Sequence, residues 1–390
     1  MKSGGRRINV RLRLQNRDIS IELMRIIACF FVICIHLGAG LFLNGSFSKA
    51  STLIACLFAD AVAMFWFITG AFLLKRNEYS KVMKGTFRKV ILPSLALIVF
   101  IFFFNGWMFD GQTITESIKS QIPRIPSALE DVFLWWTTPV AHTGQLWYIF
   151  VYVFVMICFP VIKAFVERIE KNHKEKLFLV ISFGILLIND ASNNHFAGFE
   201  HTVMGALVPA VILIIWGHIF YKNKDKILKK VKSRYFLLAF IVVNIIRTMM
   251  MAFAYSCGDG DLNRSIMYWF SCFSLITVVS MFLFLEGSLK KVTMGKLTNW
   301  LIIKIGSFTF MIYLLHELVI DFLKEIGLFA DLRYYFFANG NFIKSILYYV
   351  LLGSIVFLIS LVMSIVLRLI SKLAKKSYGL YSAKVMKRQE

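Results

Sequence analysis

Charged residues are scarce in this chain: they make up 17% of 390 residues, against 58% hydrophobic. A soluble domain is about half apolar and about a quarter charged, so the deficit excludes an ordinary soluble protein. Segments of alternating polarity about ten residues long, which a membrane β-barrel would need, are also missing. There is no CxxC pair; Cys29, Cys34, Cys56, Cys158 and Cys272 lie inside apolar blocks and Cys257 lies in a loop, so neither a metal site nor a disulfide framework is expected. No small-residue cleavage pattern follows the first apolar block, which is therefore expected to remain as a span. No internal repeat is evident, which counts against an inverted-repeat transporter. Acids are outnumbered, 22 to 44, for a net charge of +22. Such a balance can signal nucleic acid, but here the bases sit between hydrophobic blocks, as membrane topology dictates. No nucleic-acid partner is expected.

The apolar residues fall in blocks of about 17 to 25, the length that crosses a ~30 Å hydrocarbon core. Backbone groups cannot reach water there, so the blocks must be helical. The expected fold is all-α, a polytopic transmembrane helical bundle of about ten spans: 19–43, 51–74, 90–109, 146–166, 177–190, 203–220, 235–255, 265–285, 300–323 and 343–369. The N-terminal tail (Lys2, Arg6, Arg7, Arg11, Arg13, Arg17), the connection 75–89 (Lys75, Arg76, Lys81, Lys84, Arg88, Lys89), the segments 163–176, 221–234 and 286–304, and the C-terminal tail are basic. The alternate connections 44–50, 110–145, 189–202, 256–264 and 324–342 carry few bases. This alternation predicts a multi-pass protein of the cell (plasma or inner) membrane with both termini cytoplasmic. The domain division is a basic tail 1–18, one membrane domain 19–370 and a basic tail 371–390. The outer connection 110–145, with Pro123, Pro126, Trp135, Trp136 and Pro139, is long enough for a short interfacial or re-entrant element.

Ionisable groups inside spans are costly and each raises a functional hypothesis. Arg25 and His36 in the first span are 11 positions apart, three turns plus about 20°. They share one helix face, about 16 Å apart along the axis. Glu22 lies three before Arg25, within pairing range. Taken singly, Arg25 also fits a snorkelling residue and His36 a helix–helix hydrogen bond. His316 lies 12 residues beyond Lys304, about 18 Å along a continuous helix. It could share a cavity with His36 or pack separately. Thr69 sits about two turns above Lys75, near the depth of Arg25, and Asp60 lies higher in that span. Arg247, beside Asn244, must find a partner, for which a structural ion pair is weighed above catalysis. The loop 189–202, rich in amides, acids and aromatics, could contact sugars or be ordinary solvated loop.

Five elements in order resemble membrane acyltransferase family 3. In the first span Glu22, Arg25, Ala28, Val32 and His36 match its acid-x-x-Arg-x-x-Ala run ending in His, with Glu where Asp is more usual. Phe65 to Lys75 resembles its Phe-Phe-x-x-Ser-Gly-x4-Arg/Lys element, with Trp66 and Thr69 as replacements. Arg88 with Pro93 is similar to the opening of its third span. Leu146-Trp147-Tyr148 with Pro160, and Ser307, Tyr313 and His316, resemble two further elements. The family's frequent extra hydrolase-like domain is not seen, so the chain is similar to its stand-alone type.

The resemblance implies an integral membrane O-acyltransferase that moves acetyl from cytoplasmic acetyl-CoA to a hydroxyl of a surface polysaccharide or lipid-linked glycan. Its expected partners are acyl-CoA, the glycan and membrane lipids, with no bound cofactor or metal. His36, Arg25, Glu22 and His316 are the expected catalytic residues. Lys75, Arg76, Arg88 and Thr69 are expected at the donor, since phosphates need cations; the bases also fit simple topology-setting charge. Trp147, Tyr148, Tyr313, Asp60 and Arg247 are expected on the acceptor side or in support. Arg25 would orient the donor or stabilise an oxyanion. His36 would act as general base or carry the acetyl group itself. The alternatives are an exporter or flippase of a glycan, and a succinyl-transferring modifier.

Overall fold

The computed structural model describes residues 17–39, 42–43, 46–134, 143–192, 203–257, 270–329, 332, 336 and 342–386. The first span, α1 (Ile19–His36), is capped by Asp18, whose carboxylate accepts the backbone N–H groups of Ser20 and Ile21. It ends seven residues before its sequence-expected end at 43. Gly38 adopts φ +92°, a left-handed turn that only glycine enters cheaply, and the chain then pairs β1 (Phe42–Leu43) with β2 (Ser46–Phe47).

The second block divides at Asp60 into α2 (Lys49–Ala59) and α3 (Ala61–Leu73). The third runs through α4 (Tyr79–Thr86), a π-helical turn Phe87–Ile91 and α5 (Leu92–Phe109). Pro93 has no N–H to give Lys89, so the ladder widens there and Leu92 bonds back to Phe87 instead. In the connection 110–145, α6 (Ile114–Gln121) and α7 (Ile125–Phe133) are short helical elements; Trp135, Trp136 and Pro139 lie outside the described residues.

The fourth block is α8 (Trp147–Ile157) and α9 (Phe159–Lys171), bent by 63° at Cys158, where Pro160 removes a helix hydrogen bond. Then follow α10 (Glu175–Ala191), α11 (Val203–Lys230), α12 (Ser233–Ser256) and α13 (Cys272–Leu289). The ninth block, expected as one rod, is α14 (Lys296–Gly306) and α15 (Thr309–Glu325), bent by 61°. The 18 Å depth read for His316 along a straight helix therefore does not hold. The last helix, α16 (Phe342–Met386), continues through most of the stretch expected as a tail.

The protein is an all-α, multi-pass helical bundle. Among the described residues, seven helices are long and apolar enough to cross a membrane, and the two bent pairs raise this to nine. The remaining block, α10, has 17 residues, about 26 Å at 1.5 Å per residue. Outer helices turn large apolar side chains outward, such as Val99, Met249, Phe253 and Leu358. Lipid permits that exposure and water would not.

Two close approaches fix the interior. A Cβ on Gly70 would overlap the Ile214 carbonyl, and one on Gly217 would overlap that of Phe67. The two glycines thus let α3 and α11 touch backbone to backbone, the small-residue packing of membrane helices. The helix α1 is central, against α2, α3, α13, α14, α15 and α16. Its Cys29, Ile33 and Cys34 share a core with Ile54, Ile312, Val319, Tyr349 and Leu352.

Candidate active site

The two ends of α1 carry separate polar clusters. At the Arg25 end, Glu22 accepts Arg25 Nη1 at 2.9 Å and Arg17 Nη1 at 3.2 Å. The Glu22 side chain lies over Gly306, whose missing Cβ leaves room for it. The Arg25 side chain remains 26% exposed.

At the other end, His36 Nδ1 donates to Glu317 Oε1 at 2.7 Å. The rings of His36 and His316 meet edge to face with centroids 4.9 Å apart. The sequence left open whether the histidines were neighbours; the fold joins them, because α15 restarts at Thr309 beside α1. His316 is fully buried. Its Nδ1 lies 2.6 Å from the Tyr313 carbonyl, which can only accept, so Nδ1 carries the proton and Nε2 presents a lone pair. That Nε2 has no hydrogen-bond partner among the described residues.

The first turn before α8 closes the site. Tyr313 donates its hydroxyl to the Gln145 carbonyl, and Gln145 Nε2 donates to the Leu314 carbonyl at 3.1 Å. An aromatic line leads from here back toward the Arg25 end. Tyr313 lies 5.6 Å from His316 and 5.7 Å from Tyr148, and Tyr148 lies 4.5 Å from Trp66 and 6.3 Å from Trp147, centroid to centroid. Tyr152 stacks on Trp66 and is within electrostatic reach of both Arg25 and Arg76. Thr69 donates to the Phe65 carbonyl at 2.8 Å, and its hydroxyl also meets that of Tyr148. The first, second, fourth and ninth hydrophobic blocks thus supply one line of packed polar and aromatic side chains.

The remaining expected donor residues lie outside this line. Lys75, just past α3, places Nζ 4.1 Å from the Tyr221 ring centroid. Partial burial lowers its ammonium below the usual lysine range, helped by the charge of Lys224 and opposed by Asp18. The Arg76 carbonyl and the Asn77 side chain both accept Lys163 Nζ. Arg88 sits in the π-helical turn, exposed. Near Lys75, Asp18 accepts Lys224 at 2.8 Å and Tyr221 at 3.0 Å, and Lys224 also pairs with Glu286 at 2.9 Å. Burial would raise the Asp18 carboxyl, but Lys224 and Tyr221 outweigh it and hold it below the usual range.

Asp60 and Arg247 are not brought to the histidines. They pair with each other at 2.7 Å, both fully buried. Asp60 also accepts Ser274 and Thr277, each at 2.5 Å. Asn244 bonds within its own helix, to the Phe240 carbonyl. Asp60 is thus the partner that Arg247 was expected to need. Of the loop 189–202, the residues from Asn193 to Thr202 lie outside the described residues; Asp190 accepts Ser271 Oγ and the Cys272 N–H.

Sequence reading missed Glu317. Its signal was present, a carboxylate inside an apolar run. The neighbouring His316 drew that inference to itself, since adjacent helical positions point about 100° apart and are not expected to serve one place. Gln145 was missed because its role depends on a carbonyl more than a hundred residues away.

A carboxylate that holds an imidazole by one nitrogen fixes its tautomer and steadies the imidazolium formed when the other takes a proton. Partly buried between helices of a multi-pass bundle, the His36–Glu317 pair is suited to moving a proton. The family model described as an acyltransferase domain matches residues 18–365. The chain belongs to this family, membrane acyltransferase family 3, and is an acyltransferase. No curated protein and no solved structure matches it.

Proposed function

We propose that the protein is an O-acyltransferase of the cell membrane. It takes acetyl from acetyl-CoA at a cytoplasmic Arg25 end and delivers it to a hydroxyl of a surface polysaccharide or lipid-linked glycan at the His36 end. One observation carries this reading: an imidazole held by a carboxylate lies three turns along the same helix from an arginine, with a line of packed aromatic rings running from the imidazole end back toward the arginine end. The positive-inside bias supports the orientation, with both termini cytoplasmic.

In this reading Arg25, steadied by Glu22, orients the donor, with Lys75, Arg76 and Arg88 nearer its phosphates. About 16 Å of helix separates Arg25 from His36, a gap for the extended pantetheine arm to span. Glu317 holds His36 Nδ1–H, leaving Nε2 as general base. The base removes the acceptor hydroxyl proton as the oxygen attacks the thioester carbonyl. The tetrahedral adduct collapses, the C–S bond breaks, and the departing thiolate of CoA takes the proton back from His36. Tyr148, Trp147 and Tyr313 shape the acceptor side.

The test is incubation of purified protein with acetyl-labelled acetyl-CoA and a glycan extract. Labelled glycan and free CoA in equal amounts are expected. Intact acetyl-CoA, with glycan lipids crossing proteoliposome membranes, would replace the proposal with an exporter. Mass spectrometry of surface glycans with and without the protein identifies the acceptor.

A further inference from the structure

The cluster at the His36 end has a second capacity. One donor atom each from His36, His316 and Glu317 all lie within 4.8 Å of one another. The three come from two helices, α1 and α15, and nothing in their sequence spacing announces them. Two imidazoles and a carboxylate suit zinc-like dications; magnesium and calcium demand more oxygen ligands.

The surroundings match what a metal-binding histidine requires. Such a ligand donates its second ring N–H to a carbonyl or carboxylate, which fixes the tautomer and turns the other nitrogen toward the metal. His316 has that arrangement, with Nδ1 on the Tyr313 carbonyl and Nε2 without a hydrogen-bond partner among the described residues although fully buried. Tyr313 is itself tied to Gln145, which also supports the Glu317 carboxylate through its backbone N–H. Zinc ligands about 2.1 Å from the ion stand about 3.4 Å apart in a tetrahedron, so binding needs inward shifts of about an ångström. The His36 side chain, 32% exposed, has the freedom to move.

We propose that His36, His316 and Glu317 form a three-ligand site for a zinc-like dication, and that a metal bound there blocks acyl transfer. This rests on His36 as the base of the proposed reaction. The hydrogen bond between His36 and Glu317 must open for both to turn to a metal. An imidazole whose lone pair holds a metal cannot take the acceptor's proton. Metal-held and catalytic arrangements therefore exclude each other, and the fourth coordination position falls to water or a substrate oxygen.

The experiment uses the full chain, untagged, in detergent and stripped with a chelator. Cobalt(II) is titrated while its visible d–d absorption is recorded, and acetyl transfer is measured in parallel with added zinc. One cobalt per chain is expected, with the intense absorption of a four-coordinate ion, displaced by zinc and indifferent to magnesium. Both Glu317→Gln, close in shape to the native side chain, and His316→Asn should weaken cobalt binding by at least the ~10–100-fold that loss of a mere outer partner costs, with unchanged gel-filtration profiles. Zinc should suppress transfer and the chelator restore it. Cobalt binding equal in wild type and both variants would refute the site. Zinc-stimulated transfer by the stripped protein would refute the block. Cobalt bound at the three residues with no acyl transfer in any sample would leave the site standing and remove the acyltransferase chemistry proposed for it.

Discussion

The ionisable clusters at Asp60 and at His36 are built oppositely. At Asp60 the carboxylate is fully buried and accepts three donors, Arg247, Ser274 and Thr277. At His36 the imidazole side chain is 32% exposed and the partner carboxylate of Glu317 13%, beside a buried ring nitrogen of His316 with no described hydrogen-bond partner. The first cluster has its carboxylate engaged on every side and ties α12 and α13 to the break between α2 and α3. The second keeps a lone pair and an opening. Under the proposed function, a partly exposed imidazole beside that ring nitrogen, and not cost of burial alone, sets the His36 cluster apart from the Asp60 one.

Substitutions sharpen the contrast, since each cluster should fail in its own assay. The largest effect is expected from His36→Ala, with acetyl transfer falling about 10²–10⁴-fold, the usual contribution of a general base, and thermal stability in detergent nearly unchanged. Normal transfer by that variant would remove His36 from the reaction. Arg247→Ala should do the reverse. It leaves the Asp60 carboxylate buried without its cation, at about 3–5 kcal/mol, read as a large fall in melting temperature by fluorescence-detected gel filtration. A variant as stable as wild type would show that this pair is not structural.

Glu317→Gln should lower kcat roughly 10–100-fold, less than loss of the base itself, and leave KM for acetyl-CoA in place. A pure rise in KM would move Glu317 from positioning the base to binding the donor. The smallest contrast is at the donor end. Arg25→Ala should raise KM for acetyl-CoA more than Arg88→Ala, because Arg25 is held beside the aromatic line and Arg88 is exposed in the π-helical turn. The opposite ranking would transfer the donor role to Arg88.

Amino-acid order was enough to define the class of fold, through block length and the need to satisfy backbone groups in lipid. It also placed Glu22, Arg25 and His36 on one face of one helix, because helical periodicity is a local rule. Tertiary structure alone decided which partners those residues met. Glu317 reaches His36, His316 lies against it, and Asp60 leaves the site for Arg247, all contacts between helices far apart in the chain. The bend between Gly306 and Thr309 decided the depth of His316, and the crossed glycines Gly70 and Gly217 decided how near α3 lies to α11. Periodicity orients a side chain about its own axis; only packing sets the distance and rotation of one axis against another.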